Sequence, residues 1–166
     1  MIILGIDPGY AIVGIGVVEY KGNHFRPIAY DAITTHASTA TSLRLVQILD
    51  DINYCLDRFH PDAVAIEELF FNNNAKTALA VAQARGVLIA ATAKRQIPIY
   101  EYTPLQIKQA ITGYGRADKK QMQLMVKSIL NLNAIPRPDD AADALAVAIC
   151  HGNSNVMNEE LGTNRL

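Results

Sequence analysis

MIILGIDPGYAIVGIGVVEY, residues 1–20, is the stretch on which the fold turns. An apolar run from Ile2 to Ile6 ends on an acid, Asp7, and the pair Pro8-Gly9; the apolar pattern resumes from Ile12 to Val18. Two such runs around a Pro-Gly break predict neighbouring strands joined by a turn. The carboxylate at the exit of the first strand has two readings. Asp is a common first residue of a turn, because its side chain accepts backbone N–H bonds two residues on. It is also an oxygen ligand for a metal ion, set at a strand end.

Working outward, residues 2–7, 12–20 and 25–35 read as strands, with Lys21-Gly22-Asn23 as a hairpin turn. In residues 42–59, Leu43, Val46, Leu49, Ile52 and Leu56 recur at helical spacing, and Pro61-Asp62 ends the helix. AVAIEELFF (63–71) is a fourth strand, residues 74–95 an Ala-rich helix, and IPIYEY (97–102) a fifth strand. Thr103 as N-cap with Pro104 behind it starts a helix. Asp118 and Gln121 have capping-box spacing for another, ending about Leu130. The last helix opens near Pro138 and is expected to stop about His151. The order β-β-β-α-β-α-β-α-α-α predicts an α/β fold: an antiparallel meander continued by parallel strands in one mixed five-stranded sheet with flanking helices. Residues 1–151 form one domain, and the polar stretch 152–166 reads as a disordered tail.

Composition excludes several classes. Half the chain is apolar and the net charge is −1, as in a soluble globular protein. No stretch reads as a membrane span, and the N-terminus lacks the basic region and cleavage pattern of a signal peptide. Cys55 and Cys150 sit in apolar helical patterns, as reduced residues of a cytoplasmic protein do. The four histidines share no metal-ligand spacing. The near-neutral total hides a division. Residues 1–71 carry −5, residues 72–137 carry +8 and residues 138–166 carry −4. A central basic segment between acidic ones is compatible with a nucleic-acid footprint, or with a solvated surface.

Asp7 after IILGI and Glu67 after AVAI repeat one arrangement, a short buried-type strand with an acid at its carboxyl end. On parallel neighbours both acids emerge at the edge where open α/β sheets place ligands. The pleat turns Glu68 to the other face. Asp140 and Asp143 are three apart and share one side of a helix start, where Asp also caps free N–H groups. Asp139 needs only the capping explanation. Asp143 borders the apolar run Leu145–Ile149 and calls for a partner. Four clustered carboxylates repel one another unless a cation lies between them, and a hard divalent ion such as Mg2+ suits all-oxygen ligands. No Lys or Arg adjoins the strand-end acids in the sequence.

GIDPG, AIEELFF, AQARGV, EYTPLQIKQAITGYG and DDAADALAVAICH resemble, in order and spacing, the RuvC family of bacterial Holliday-junction resolvases, over residues 2–151. The resemblance implies a ribonuclease-H-like fold and a homodimer. It implies metal-dependent hydrolysis of two strands of a four-way DNA junction, leaving 5′-phosphate and 3′-hydroxyl ends. Asp7, Glu67, Asp140 and Asp143 match the family's acids. They would hold Mg2+, two ions per subunit with Mn2+ as a substitute, about 4 Å apart across the scissile phosphate. Phe70 matches the aromatic that wedges into the crossover, where stacking on a base is worth ~1–3 kcal/mol. Lys108 and Lys119 fall at phosphate-contacting positions, with Arg116 and Lys120 close by. Ala78, Ala82, Gly86 and Ala90 recur every four residues, a small-residue stripe that the resemblance makes part of the dimer interface. The RuvA/RuvB branch-migration complex is the implied partner. Two other readings stand beside it: a nucleotide-binding fragment of the actin, Hsp70 and sugar-kinase type, and a junction binder without catalysis.

Overall fold

The computed structural model describes residues 1–69 and 75–161. Three strands, β1 (Ile2–Asp7), β2 (Ile12–Lys21) and β3 (His24–Thr34), lead into α1 (Thr41–Phe59), β4 (Ala63–Glu67), α2 (Ala75–Lys94) and β5 (Ile99–Tyr102). α3 (Pro104–Thr112), α4 (Lys119–Ile129) and α5 (Asp139–Leu161) follow. The strands lie in the order β3-β2-β1-β4-β5. β1, β2 and β3 pair antiparallel, and β4 and β5 continue the sheet parallel to β1. This is the mixed five-stranded sheet that the element order predicts. No helix among the described residues is long and apolar enough to cross a membrane.

Alternation along each strand sends side chains to two different cores. Leu4, Ile6, Val13, Ile15, Val17 and Ile66 pack with Ile48, Ile52 and Leu56 of α1 and Ala84 and Leu88 of α2. Ile3, Val18 and Ala65 face the other way, toward Leu145, Ile149 and the inner residues of α3 and α4. Each large aliphatic side chain fully buried here contributes about 1.5–3 kcal/mol. The α5 side is the tighter of the two. A Cβ on Gly14 would lie 2.0 Å from the carbonyl oxygen of Asp140, and one on Gly16 would lie 2.6 Å from the amide of Leu145. Backbone therefore rests directly on backbone, and α5, rich in alanine, is seated without freedom to slide.

Two expectations change. In α1 the stripe that turns inward is Arg44, Ile48, Ile52 and Leu56 at strict four-residue spacing. Leu43, Val46 and Leu49 are exposed, at 60%, 49% and 37%. The apolar period of the sequence is real, but it spans two adjacent faces of the helix, of which the sheet takes one. The last helix also runs on past His151, to Leu161. Gly152 lies against Phe25, where a Cβ would stand 2.4 Å from the ring, and Asn153 donates to the Ala110 carbonyl. The capping boxes at Thr103–Gln106 and Asp118–Gln121 form as the sequence indicates, each cap being worth ~1 kcal/mol. Cys55 is half-buried and Cys150 buried, both as free thiols.

Candidate active site

The register of β1 and β4 builds the site. Ile6 stands opposite Ile66, so Asp7 and Glu67 are the next residues on neighbouring parallel strands. Both are odd-numbered continuations of the face that carries Gly5 and Ala65, the face on which α5 lies. The first turn of α5 bears Asp139 and Asp140, with Asp143 one turn on. Close seating of α5 on Gly14 and Gly16 thus carries its acids to the edge where the strand acids emerge.

The electrostatics record that proximity. Burial first, then the charges of Glu67, Asp143 and Asp140, push the Asp7 carboxyl from 3.8 up to about 8, with Lys119 opposing them. Burial and Asp143 push Glu67 from 4.5 up to about 7, while Lys108 and a hydrogen bond with Asp7 act in the other direction. A protonated Asp7 donating to an ionised Glu67 is the arrangement these shifts describe. Burial likewise raises Asp143, against the pull of Lys119.

Lys119 is the partner that Asp143 calls for. Its Nζ lies 3.3 Å from Asp143 Oδ2 and 3.6 Å from Asp139 Oδ2, and Asp139 also accepts from Arg137 Nη1 at 2.6 Å. The sequence puts no Lys or Arg beside the strand-end acids, but the fold brings the charge of Lys119 to bear on Asp7 and that of Lys108 on Glu67. Residues far apart in the sequence meet here, because α4 returns its N-terminus to the start of α5. Lys108 and Lys119 share a cleft of about 220 Å³ with Glu67, Asp143 and the apolar side chains of Pro104, Ile107 and Met122. Arg116, in the connection from α3 to α4, and Lys120 are exposed beside it, without contact to the acids. Phe70 lies outside the described residues. On the opposite side of the sheet, Ala78 and Ala82 of α2 are half-buried and Gly86 and Ala90 exposed.

The family model described as "Crossover junction endodeoxyribonuclease RuvC" matches residues 3–151. The chain belongs to the RuvC family. A curated RuvC of Ruminiclostridium cellulolyticum is 60% identical over 165 residues, 99% of each chain. The solved Thermus thermophilus RuvC superimposes with a TM-score of 0.89 at 37% identity, covering 95% of this chain and 97% of that one. The Thermus protein in complex with a Holliday junction substrate gives 0.91 at 38% identity, covering 95% and 96%. The ribonuclease-H-like fold expected from the sequence is therefore the fold of this RuvC-family chain.

The donor set suits a hard divalent cation: it is all oxygen, and two of its members are driven toward neutrality by burial first and by neighbouring carboxylates second. Among the described residues no three such side chains are gathered closely enough to ligate one ion as they stand. Glu67 is instead hydrogen-bonded to Asp7, and Asp143 is turned toward Lys119.

Proposed function

We propose that the chain is a Holliday-junction resolvase that hydrolyses phosphodiesters at the edge formed by Asp7, Glu67, Asp140 and Asp143. The chain is a nuclease of the RuvC family, and membership over nearly its whole length sets aside the nucleotide-binding and non-catalytic readings. The observation that carries the site assignment is the parallel register that sets Asp7 and Glu67 on adjacent strand ends, on the face against which α5 brings its acids.

The four carboxylates would hold Mg2+, two ions per subunit with Mn2+ as a substitute. When bound, such ions would supply activation of the attacking water and stabilisation of the leaving oxygen, for products with 5′-phosphate and 3′-hydroxyl ends. The residues of the chain do the rest. Asp7 and Glu67 release a proton on ligation, which adds pH dependence to metal affinity. Lys108 and Lys119, in the cleft with Glu67, bind phosphate oxygens of the cleaved strand, and Arg116 and Lys120 extend that contact along the backbone. Ile107, Met122 and Pro104 wall the cleft and limit water on one side. Phe70 is assigned to the crossover bases. Two strands must be cut, so two copies are needed, and the stripe Ala78, Ala82, Gly86 and Ala90 is assigned to their contact, with the RuvA/RuvB complex as the partner on cytoplasmic DNA.

The test is cleavage of a labelled synthetic four-way junction with Mg2+, comparing the native chain with Asp7→Asn, beside linear duplex and an EDTA sample. Paired nicks near the branch point, lost in Asp7→Asn while junction binding survives, are the expected result. Nicking that persists in Asp7→Asn would remove Asp7 from the site.

A further inference from the structure

The turn that follows Asp7 is held from outside the site by a buried cation. Gly9 allows that turn to close so tightly that a Cβ there would meet the carbonyl oxygen of Ile12. The outer side of the turn is pinned by two residues. Thr35, just beyond β3, donates its Oγ1 hydrogen to the Tyr10 carbonyl at 2.7 Å, and its amide donates to the Ala11 carbonyl at 2.8 Å. Arg44, in the first turn of α1, donates Nε–H to Thr35 Oγ1 at 2.9 Å and Nη2–H to the Tyr10 carbonyl at 3.3 Å. Its guanidinium carbon lies over the Tyr10 ring, 3.7 Å from the centroid.

Arg44 is only 7% exposed, and no acidic side chain among the described residues pairs with it. Burying an unpaired guanidinium is a poor way to stabilise a core, since an aliphatic side chain of similar volume fills the place without the desolvation cost. What the guanidinium does supply is a planar fork that reaches Thr35 and Tyr10 at once while stacking on an aromatic ring, a combination that lysine lacks. Its side-chain hydrogen bonds and ring contact, directly or through Thr35, converge on the turn between Asp7 and β2.

We propose that Arg44 is a positioning residue for the reaction: through Thr35 and the stacked Tyr10 it fixes the Pro8–Ala11 turn and so the direction in which Asp7 enters the site. The inference rests on the assignment of Asp7 above.

The experiment compares Arg44→Met, Arg44→Lys, Thr35→Val, Thr35→Ser and Asp7→Asn with the native chain. Each is measured for junction affinity by fluorescence anisotropy in EDTA, single-turnover cleavage at saturating protein with Mg2+, and thermal unfolding. Ile48→Val, a core change one turn along the same face of α1, serves as the control for stability alone. Arg44→Met and Arg44→Lys are expected to bind the junction within about twofold of native but to cleave at least about tenfold more slowly, since small misplacements of a reacting group cost that much. Thr35→Val is expected to lose cleavage and Thr35→Ser, which keeps the hydroxyl, to retain it. Ile48→Val is expected to cut at the native rate. Native cleavage by Arg44→Met, with Asp7→Asn inactive, overturns this inference alone. Active Asp7→Asn overturns both it and the site assignment. A loss in Arg44→Met that Ile48→Val reproduces at equal destabilisation reduces Arg44 to a structural residue and also overturns the proposal.

Discussion

The two faces of the sheet are packed by different rules. On the α5 face, glycines of β2 and alanines of α5 bring backbones together, with an Asp140 carbonyl 2.0 Å from where a Gly14 side chain would begin. On the other face, branched side chains of the strands meet Ile48, Ile52 and Leu56, and bidentate Arg95–Asp57 hydrogen bonds, 2.8 and 2.9 Å, tie α2 to α1. The first face has no slack and carries the acids. The second turns Leu43, Val46, Leu49 and Leu79 outward, the last 66% exposed. Rigid, close seating suits the proposed site, in which four carboxylates hold position against their own repulsion; an outward apolar face suits the proposed contact with a second copy. Substitutions that exchange or blur those roles test whether the two faces are distinct.

The largest effect belongs to the acids. Asp7→Asn and Glu67→Gln each remove a ligand while relieving repulsion, so cleavage is expected to fall on the order of 10³-fold, several kcal/mol of transition-state stabilisation. Thermal stability in EDTA should hold or rise at the same time. A single-turnover assay paired with thermal unfolding reads both. Parallel losses of activity and stability would mean that these carboxylates serve the fold and not the chemistry.

Next comes the seat of α5. Gly14→Ala puts a methyl group into the Asp140 carbonyl, and the helix must move or the strand must bend. A destabilisation of about 3 kcal/mol is expected from overpacking at a backbone contact, read as a lower urea midpoint with unchanged slope. Cleavage should fall further than the remaining folded fraction accounts for, because Asp140 shifts with the helix. A change under about 0.5 kcal/mol would show that the face has slack after all.

Much of this site is legible in the sequence because it depends on period and register alone. Asp7 and Glu67 end two similar strands, and alternation plus parallel pairing brings them together. Asp140 and Asp143 share a helix side by spacing. What is not legible depends on where helices land. Lys119 meets Asp143 only because α4 folds back, and no local pattern encodes that return. Arg44 looks like a surface residue, since its neighbours Leu43 and Val46 look like the core, yet the order is reversed. Gly152-Asn153 looks like a tail by composition, but the missing Cβ is what lets α5 pass Phe25.

The pH response sharpens the same contrast at smaller scale. Asp7 and Glu67 have raised values in the fold, about 8 and about 7, so their protonation stabilises the metal-free chain. That contribution is fully present below their ordinary values of 3.8 and 4.5 and is lost as pH rises through 7 to 8. His151 works in the other direction. Burial depresses it from 6.5 to about 4, so its contribution is lost as pH falls through that window. Both chains keep His151, so it cancels when native is compared with Asp7→Asn. The native-minus-mutant difference in Tm in EDTA should therefore decline between about pH 5 and pH 9, and Mg2+ should restore it at the alkaline end. A flat difference would contradict the burial and crowding of these carboxyls at this edge.

The smallest change asks the same question as Gly14→Ala from the opposite face. Gly86 lies in the interior of α2, is exposed, and a Cβ there would have nothing within 4 Å. Within one subunit Gly86→Ala removes backbone freedom from the unfolded chain and is expected to add about 0.5–1 kcal/mol of stability. If the stripe through Ala78, Ala82 and Ala90 meets a second copy, the same methyl group stands between two helices and weakens the dimer. Only the second effect depends on protein concentration, so unfolding measured over a dilution series separates them. Stabilisation confined to dilute protein, with a shift toward monomer in sedimentation, assigns α2 to association. Equal stabilisation at every concentration leaves Gly86 as an ordinary solvent-facing helix position and moves the interface toward the exposed apolar residues of α1.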